Sequence, residues 1–489
     1  MTTLRSRTIS GLLWSFTERM GLNVLKLGIS ILLARLLSPA EFGLIGMLAI
    51  FVAVAQSLLD SGFSNALIQK QDADRVDECS VFFFSIGIGL VMAAALYLGA
   101  PAIARFYEQP QLVGLARLFS LGILIDSFGL IHATVLTKRI EFKAQMRVGL
   151  FATAASGALA IALALGGLGV WSLGIQLVAE ATLRTIGLWI ACSWRPAWIF
   201  SVKSLRQLFG FGSRLLAAGL LNTFFQNLHQ AFIGKVFTAT DLGYYSRARS
   251  MELAAAGATS HTLSRVMFPA LSTIQEDPVR LRQVYRKAIT LSAFLHLPMM
   301  TILIAVARPL FLLLLSERWA PSIPYFQLLC VASLLYPLQV LNLNLLKVAG
   351  RSDLFLGLEV IKKLVMVASI AITYRWGIVG LLYGQIVTSV IVYVLNSAYS
   401  QRMIGYATVT QIRDILPFLA VSATAGGLSY LVGQAMDGHL FLRLLVQTAV
   451  GAISYVAIAC ALRFSALDEV RSVLDGLLRP GVATDGVQP

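Results

Sequence analysis

Two cations, Arg19 and Lys26, lie in an otherwise apolar stretch near the start of the chain. The polar residues of this stretch advance by four, four, three and four positions: Ser15, Arg19, Asn23, Lys26 and Ser30. At about 100° per residue their side chains fall within an arc of roughly 80° on one helix face, which Glu18 flanks. Two cations on one such face favour a hydrated site for an anion. The alternative is that each cation extends to a headgroup region, which fits Arg19 better than Lys26.

Polar side chains also line two apolar stretches near the middle of the chain. The first stretch carries Asn222, Gln226 and His229 on one face, a pattern that suits hydroxyl recognition or hydrogen bonding between helices equally well. The second stretch carries Arg247 and Arg249 about 10 Å from its predicted outer end, by the rise per residue of a helix. These arginines are either phosphate ligands or interfacial residues.

Carboxylates also occur within the apolar stretches. Asp126 has no partner three or four positions away, so it needs a cation on another helix or a proton. Asp126 is therefore a candidate proton site or one end of a static hydrogen bond between helices. Glu180 precedes Arg184 by four residues, the spacing of a favourable intrahelical pair. Glu252 lies in the same stretch as the two central arginines.

The composition places these charges in a membrane. Of the 489 residues, 57% are hydrophobic and 13% are charged, and the mean hydropathy is +0.77. Because an ordinary soluble domain has about 25% charged residues, the composition excludes a water-soluble enzyme. The net charge of +15 suits cytoplasmic loops rich in Lys and Arg and predicts no nucleic-acid partner. The isolated cysteines predict neither a metal site nor a disulfide.

Apolar runs of helical length predict fourteen spans, each needing about 20 residues. The first eight cover residues 11–35, 42–63, 80–101, 113–136, 148–166, 169–191, 208–236 and 242–268. The other six cover residues 288–312, 323–346, 354–374, 377–399, 415–433 and 440–462. The two sets of alternate loops contain 22 and 7 of the Lys and Arg residues, so the positive-inside rule places both termini in the cytoplasm. The basic N-terminus is interpreted as part of an uncleaved first span.

An internal repeat organises these spans. The segment ARLLSPAEFG at 34–43 matches GKVFTATDLG at 234–243, at an offset of 200 residues. We therefore predict an all-α polytopic membrane protein with about fourteen transmembrane helices in two pseudo-repeated six-helix lobes plus two C-terminal helices. The lobes are residues 1–207 and 208–400, the added spans 401–462, and a cytoplasmic amphipathic segment with a disordered tail 463–489.

The connections after the sixth and eighth spans are expected to form amphipathic helices along the inner membrane surface. Trp194 and Trp198 would then lie at headgroup level.

The span pattern and the segment ILLARLLSPAEFGLIGM at 31–47 resemble the polysaccharide-transporter branch of the multidrug/oligosaccharidyl-lipid/polysaccharide (MOP) exporter superfamily. The resemblance implies a central cavity that opens alternately to each side of a bacterial inner membrane. An undecaprenyl-diphosphate-linked oligosaccharide repeat unit would pass through it from the cytoplasmic to the periplasmic leaflet, for lipopolysaccharide, capsule or exopolysaccharide synthesis. Relatives place arginines of the first and eighth spans in that cavity, and Arg19 and Arg249, with Arg247 and Glu18, are the nearest equivalents here.

These arguments give a set of expected site residues. Substrate binding is expected at Arg19, Asn23, Lys26, Asn222, Gln226, His229, Arg247 and Arg249. Export would be driven by proton or sodium antiport, or by product removal alone, and the candidate coupling carboxylates are Glu18, Asp126, Glu180 and Glu252. A polysaccharide polymerase and a chain-length regulator are candidate partners. No catalytic residue, metal or cofactor is expected.

Two other functions are alternatives to the flippase. A drug or cation exporter of the same superfamily would favour an acidic, aromatic-lined cleft, whereas the first span has two cations and one acid. A membrane-embedded polysaccharide polymerase would need an outer loop large enough to hold an acid or base over a lipid-linked sugar. The predicted outer loops are too short for that.

Overall fold

The computed structural model describes residues 21–60, 62–70, 72–275, 277–348, 351–436, 438–464, 466–467 and 469, without the side chains of 211, 214–215, 258–270, 347 and 352. Within these ranges the chain is predominantly helical and contains no strand. Glu18, Arg19 and most of the predicted C-terminal tail lie outside them.

The helices follow one another with short connections. Those of the first part are α1 (21–36), α2 (Pro39–Asp60), α3 (Phe63–Gln69), α4 (Arg75–Tyr107), α5 (Leu112–Lys138), α6 (Phe142–Leu165), α7 (Val170–Ala191), α8 (Val202–Val236) and α9 (Ala239–Ser272). The remaining ones are α10 (Pro278–Leu314), α11 (Ser322–Ser333), α12 (Tyr336–Val348), α13 (Ser352–Thr373), α14 (Gly377–Ile404), α15 (Thr408–Ala435) and α16 (Leu440–Ala461).

These helices make the chain a multi-pass membrane protein. Ten stretches of the described residues are long and apolar enough to cross a membrane, and one of them, Asp353–Ile404, contains two predicted spans. The predicted first, seventh and eighth spans correspond to α1, α8 and α9. Of these, α1 is described from residue 21 onward, and α8 and α9 carry polar faces that lower their hydropathy. The predicted fold class is confirmed.

The helices form two compact units, Met1–Ser246 and Arg247–Pro489. In the first unit, α4 packs on α5, α7 packs on α5 and α6, and α8 packs on α2. The first unit includes α8, and the assignment of residues 208–400 to a second repeated lobe stays a prediction. In the second unit, α10 is the central helix and contacts α11, α15 and α16.

A buried polar network connects four helices of the second unit. The Tyr285 hydroxyl donates to Asn342 Oδ1 at 2.8 Å, and Asn342 Nδ2 donates to Gln411 Oε1 at 3.2 Å. Tyr393 also donates to Gln411 Oε1, at 3.3 Å. Each of the four side chains is at most 2% exposed. Because a buried polar group costs stability unless it is hydrogen-bonded, the network fixes α10, α12, α14 and α15 against one another.

The repeated turns before α2 and α9 have the same local hydrogen bonds. The Ser38 hydroxyl donates to Glu41 Oε2 at 2.8 Å, and the Glu41 N–H donates back to the hydroxyl at 3.4 Å. At the equivalent positions, Thr238 donates to Asp241 Oδ2 at 2.7 Å and the Asp241 N–H donates back at 3.1 Å. Ser38 and Thr238 therefore act as the N-caps of α2 and α9, and Glu41 and Asp241 are their partners three positions later.

The same two turns meet through their glycines. A Cβ atom on Gly43 would lie 1.7 Å from the carbonyl oxygen of Ala239, and a Cβ atom on Gly243 would lie 1.9 Å from that of Pro39. Gly243 and Ala239 are the repeat equivalents of Gly43 and Pro39, 200 residues further along the chain, so the arrangement is reciprocal. Glycine allows this backbone approach because it has no side chain.

The connection between α7 and α8 is helical only in its second part, where residues 202–207 form the first turns of α8. Residues 193–200 contain no helix, and α8 begins at Val202. Trp194 is buried and donates its indole N–H to Glu78 Oε2 at 2.7 Å, which fastens the connection to α4. Trp198 is 97% exposed and stacks on Phe83. The connection after α9 does become helical, as the first turns of α10, where Asp277 accepts hydrogen bonds from the N–H groups of Val279 and Arg280.

Replacing Gly43 with Ala should destabilise the protein, because the added methyl group would collide with main-chain atoms that cannot rotate away. We expect a loss of about 1–3 kcal/mol, the usual cost of overpacking, seen as a lower apparent melting temperature of the purified protein in detergent. Gly87→Ala in α4 is the matched control, since its Cβ would meet no atom within 4 Å. Equal melting temperatures for the two variants would contradict the close approach.

Candidate functional site

The first unit contains a partly open cavity of about 440 Å³ between its helices. Most of its lining is polar or charged, although its walls belong to apolar spans. The lining residues are Lys26, Gln56, Leu59, Asp60, Asp126, Leu130, Leu177, Glu180, Ala181 and Arg184. The cavity thus brings together three residues that the sequence singles out in separate helices: Lys26, Asp126 and Glu180.

Lys26 lies against Glu180 in the cavity. The Lys26 Nζ atom is 2.9 Å from Glu180 Oε1, which joins α1 to α7. The Thr153 hydroxyl of α6 donates to the same carboxylate oxygen at 3.1 Å. The Lys26 side chain remains 55% exposed although it is in an ion pair.

Arg184 forms the second ion pair of the cavity. Its Nη2 atom is 3.3 Å from Asp126 Oδ1, which joins α7 to α5. The sequence predicts an intrahelical pair between Glu180 and Arg184, but each of these residues contacts a different helix. Glu180 pairs with Lys26 of α1, whereas Arg184, one turn further along α7, pairs with Asp126 of α5. Of the two possibilities that the sequence leaves open for Asp126, a cation on another helix is present in the structure, and a role as a proton site stays a prediction.

Two further lining residues, Gln56 and Asp60, come from the last turns of α2, and both side chains are exposed. Sequence reasoning missed them, because Asp60 falls near the end of a predicted span, where a charge is ordinary. The signal that could have identified it is the four-residue spacing of Gln56 and Asp60, which places both side chains on one helix face.

The cavity has almost balanced charges. Lys26 and Arg184 face the carboxylates of Asp60, Asp126 and Glu180. Charged groups within spanning helices are tolerated when they pair with one another and face a hydrated space. Ion pairing therefore explains how four of the five charged side chains persist at this depth.

The second unit holds the predicted arginines of α9. Arg249 Nη1 is 2.6 Å from Glu252 Oε2, and Ser333 of α11 donates to the other oxygen of Glu252. The Glu252 side chain is 1% exposed whereas that of Arg249 is 38% exposed. Glu252 therefore holds the arginine while part of the Arg249 side chain remains accessible. Arg247 is 4% exposed and packs over the ring of Trp319 at 5.4 Å.

The polar face of α8 lies elsewhere on the first unit. Asn222 and Gln226 are exposed and His229 is half-buried. None of the three belongs to the described lining of the cavity, and Asn23 of α1 is likewise exposed outside that lining.

Metal-binding geometry is not found in the part of the chain that the structure describes. No group of three or more His, Cys, Asp or Glu side chains there could hold a metal ion. The four cysteines, at positions 79, 192, 330 and 460, carry free thiols.

The Arg184–Asp126 pair should contribute a measurable coupling energy. We expect Asp126→Asn and Arg184→Gln each to lower the apparent melting temperature, and the double variant to lose less than the sum of the two. The coupling should be about 1 kcal/mol, since the arginine is partly exposed. The Lys235–Glu108 pair, 3.0 Å apart with the glutamate 81% exposed, provides a control cycle with a smaller coupling. Additive losses at Arg184 and Asp126 would contradict the pairing.

Comparison with solved structures identifies the fold. The lipid II flippase MurJ in an inward closed conformation superposes with a TM-score of 0.77 at 14% sequence identity, covering 92% of this chain and 98% of MurJ. An inward-facing multidrug resistance MATE family transporter of the MOP superfamily superposes with a TM-score of 0.60 at 17% identity, covering 80% of this chain and 98% of the transporter.

Sequence comparison identifies bacterial relatives along most of the chain. Lipopolysaccharide biosynthesis protein WzxC of Escherichia coli is 26% identical, covering 89% of this chain and 90% of WzxC. Teichuronic acid biosynthesis protein TuaB of Bacillus subtilis is 25% identical, covering 88% of this chain and 96% of TuaB. Succinoglycan biosynthesis transport protein ExoT of Rhizobium meliloti is 26% identical, covering 91% of each protein. The profile of the polysaccharide biosynthesis protein family matches residues 32–324, more than half of the chain, and the chain belongs to that family.

Proposed function

We propose that this protein is a flippase for a lipid-linked oligosaccharide. It moves an undecaprenyl-diphosphate-linked repeat unit from the cytoplasmic to the periplasmic leaflet of a bacterial inner membrane, and it is a transporter rather than an enzyme. The observation that carries the proposal is the charge-paired cavity within membrane-spanning helices of a polysaccharide biosynthesis protein. Relatives with names in lipopolysaccharide, teichuronic acid and succinoglycan biosynthesis support it.

The physical problem of such transport is the polar headgroup. Moving an unpaired charged group into a dry, low-dielectric medium costs tens of kcal/mol. Cations in a hydrated cleft offset that cost, while the prenyl tail stays in the lipid. We assign the phosphate contact to Arg249, because Glu252 holds this arginine with 38% of its side chain exposed. Arg19 is a further candidate, whereas the burial of Arg247 against Trp319 favours a packing role.

Neutral polar groups suit the sugars of the same substrate. Asn23, Asn222 and Gln226 are exposed and can donate and accept hydrogen bonds, and His229 lies on the same face of α8 as the last two. We propose these residues as hydroxyl contacts.

Ion coupling by proton or sodium antiport would use a carboxylate that exchanges partners during transport. Glu180, Asp126 and Glu252 each lie in an ion pair, and Glu18 remains a further candidate. The exchange would then break a pair in one state and restore it in the other. A polysaccharide polymerase and a chain-length regulator are the proposed partners that receive and use the exported unit.

A cation exporter of the same superfamily is the second candidate. The observation in its favour is the excess of one carboxylate over the cations in the cavity. Its described lining contains no aromatic residue, whereas an aromatic lining would be expected to hold an organic cation.

Loss of Arg249 should impair flipping. In vesicles containing the purified protein, Arg249→Ala should lower the rate at which the lipid-linked repeat unit crosses the bilayer by at least about tenfold, equivalent to 1.4 kcal/mol in the barrier. The control is Arg351→Ala, which removes an exposed arginine paired with Asp353 at 2.8 Å. A wild-type protein that moves a cationic dye and not the lipid-linked unit would contradict the proposal and favour the cation exporter.

We also propose that both termini lie in the cytoplasm. This orientation can be tested with single cysteines in a cysteine-free background. The repeat turn itself is a poor reporter, since Pro39 is buried. Glu108 is 81% exposed in the α4–α5 connection, and Val279 is 69% exposed at the start of α10. Glu108→Cys should react with an impermeant thiol reagent added to whole cells, and Val279→Cys should react only after permeabilisation. The opposite pattern would invert the topology.

A further inference from the structure

The cavity of the first unit is poorly suited to a diphosphate, although Lys26 and Arg184 are cations. Each already lies against a carboxylate, Glu180 at 2.9 Å and Asp126 at 3.3 Å. Asp60 adds a third carboxylate to the lining. A diphosphate in this space would meet three carboxylates and only two cations, an excess of negative charge that opposes its binding, whereas Arg249 of the second unit faces a single carboxylate, Glu252.

A metal cation fits the cavity no better. The described residues contain no group of three or more carboxylates, thiols or imidazoles that could hold a metal ion. The three carboxylates of the lining therefore do not form such a group, and two of them are held by cations on other helices.

The lining is instead suited to a ligand rich in hydroxyl groups. In the described ion pairs, Lys26 and Arg184 contact one oxygen each of Glu180 and Asp126, so the second oxygen of each carboxylate is left to accept from a hydroxyl. Lys26 and Arg184 have further N–H groups to donate, and Gln56 can both donate and accept. Charged and amide side chains of this kind can hydrogen-bond around the edge of a sugar ring.

Apolar side chains complete the wall of the cavity. Leu59, Leu130, Leu177 and Ala181 lie between the charged residues, and they can pack against the C–H faces of a pyranose. The volume of about 440 Å³ lies within the range of small-molecule sites, roughly 300–1,000 Å³. A space with polar edges and apolar walls matches a sugar in both respects.

We propose that this cavity binds the glycan of the lipid-linked substrate through its hydroxyl groups, separately from the contact that holds the diphosphate. The inference rests on the flippase function proposed above. On this inference, Gln56, Asp60 and the four residues of the two ion pairs determine the specificity for the sugar.

The test compares two ligands that differ in the glycan. One is undecaprenyl diphosphate without sugar, and the other is the lipid-linked repeat unit extracted from cells that lack the transporter. The full-length protein in detergent is titrated with each ligand. Wild-type protein should bind the glycosylated lipid at least tenfold more tightly than the bare carrier. Glu180→Gln and Gln56→Ala should reduce that preference about tenfold and leave the affinity for the bare carrier unchanged.

Matched controls separate a site effect from a folding defect. Glu108→Gln removes a carboxylate from a Lys–Glu pair outside the cavity in the same unit and should leave both affinities unchanged. Gln56→Ala removes an exposed side chain, so it tests the cavity even where Glu180→Gln weakens the packing of α1 and α7.

Three outcomes would overturn the inference. Equal losses for both lipids would place the diphosphate in the cavity, and unchanged affinities in both variants would exclude a ligand there. A changed dependence of transport on sodium or protons, with an unchanged preference for the glycan, would make the cavity a coupling site. A wild-type protein that binds neither lipid contradicts the flippase function itself, which distinguishes that failure from a wrong assignment of the cavity.

Discussion

The pairing of charges between membrane-spanning helices is the constraint on which the first unit depends. An isolated charge at hydrocarbon depth costs several kcal/mol, whereas a pair that faces a hydrated space is tolerated. Because α7 carries Glu180, paired with Lys26 of α1, and Arg184, paired with Asp126 of α5, one helix satisfies charges on two neighbours. The position of α7 is therefore set by electrostatics as well as by apolar packing, and the cavity forms where the paired charges prevent apolar contact.

Uncharged hydrogen bonds strengthen the same wall. The Thr185 hydroxyl of α7 donates to the carbonyl oxygen of Ile125 at 3.1 Å, and the Trp189 indole donates to that of Phe128 at 2.9 Å. These contacts continue along α5 beyond the Arg184–Asp126 pair. With lipid in place of water around the helices, polar contacts of this kind contribute much of the specificity of helix association. The cavity thus has one stiff side, formed by α5 and α7.

The sequence predicted the fold class, since the length of an apolar run is a local property of the chain. It also identified Lys26, Asp126 and Glu180 as unusual charges. It did not predict which charges pair. The spacing of Glu180 and Arg184 suits an ion pair within α7, but each side chain can equally well pair with a charge on a neighbouring helix. Asp60 was missed for a related reason, since a carboxylate near the end of a span acquires significance only when other helices close a cavity around it.

The reciprocal contact of Gly43 with Ala239 and of Gly243 with Pro39 bears on how far the two halves of a duplicated chain can diverge. Most positions of the repeat are free to change, since a new side chain on one helix can be accommodated by another on its neighbour. At these two glycines the opposing atoms are main-chain carbonyl groups, which every amino acid carries. A second substitution therefore cannot make room for a side chain at either position. Both glycines have to be retained even when most other positions of the two halves have diverged.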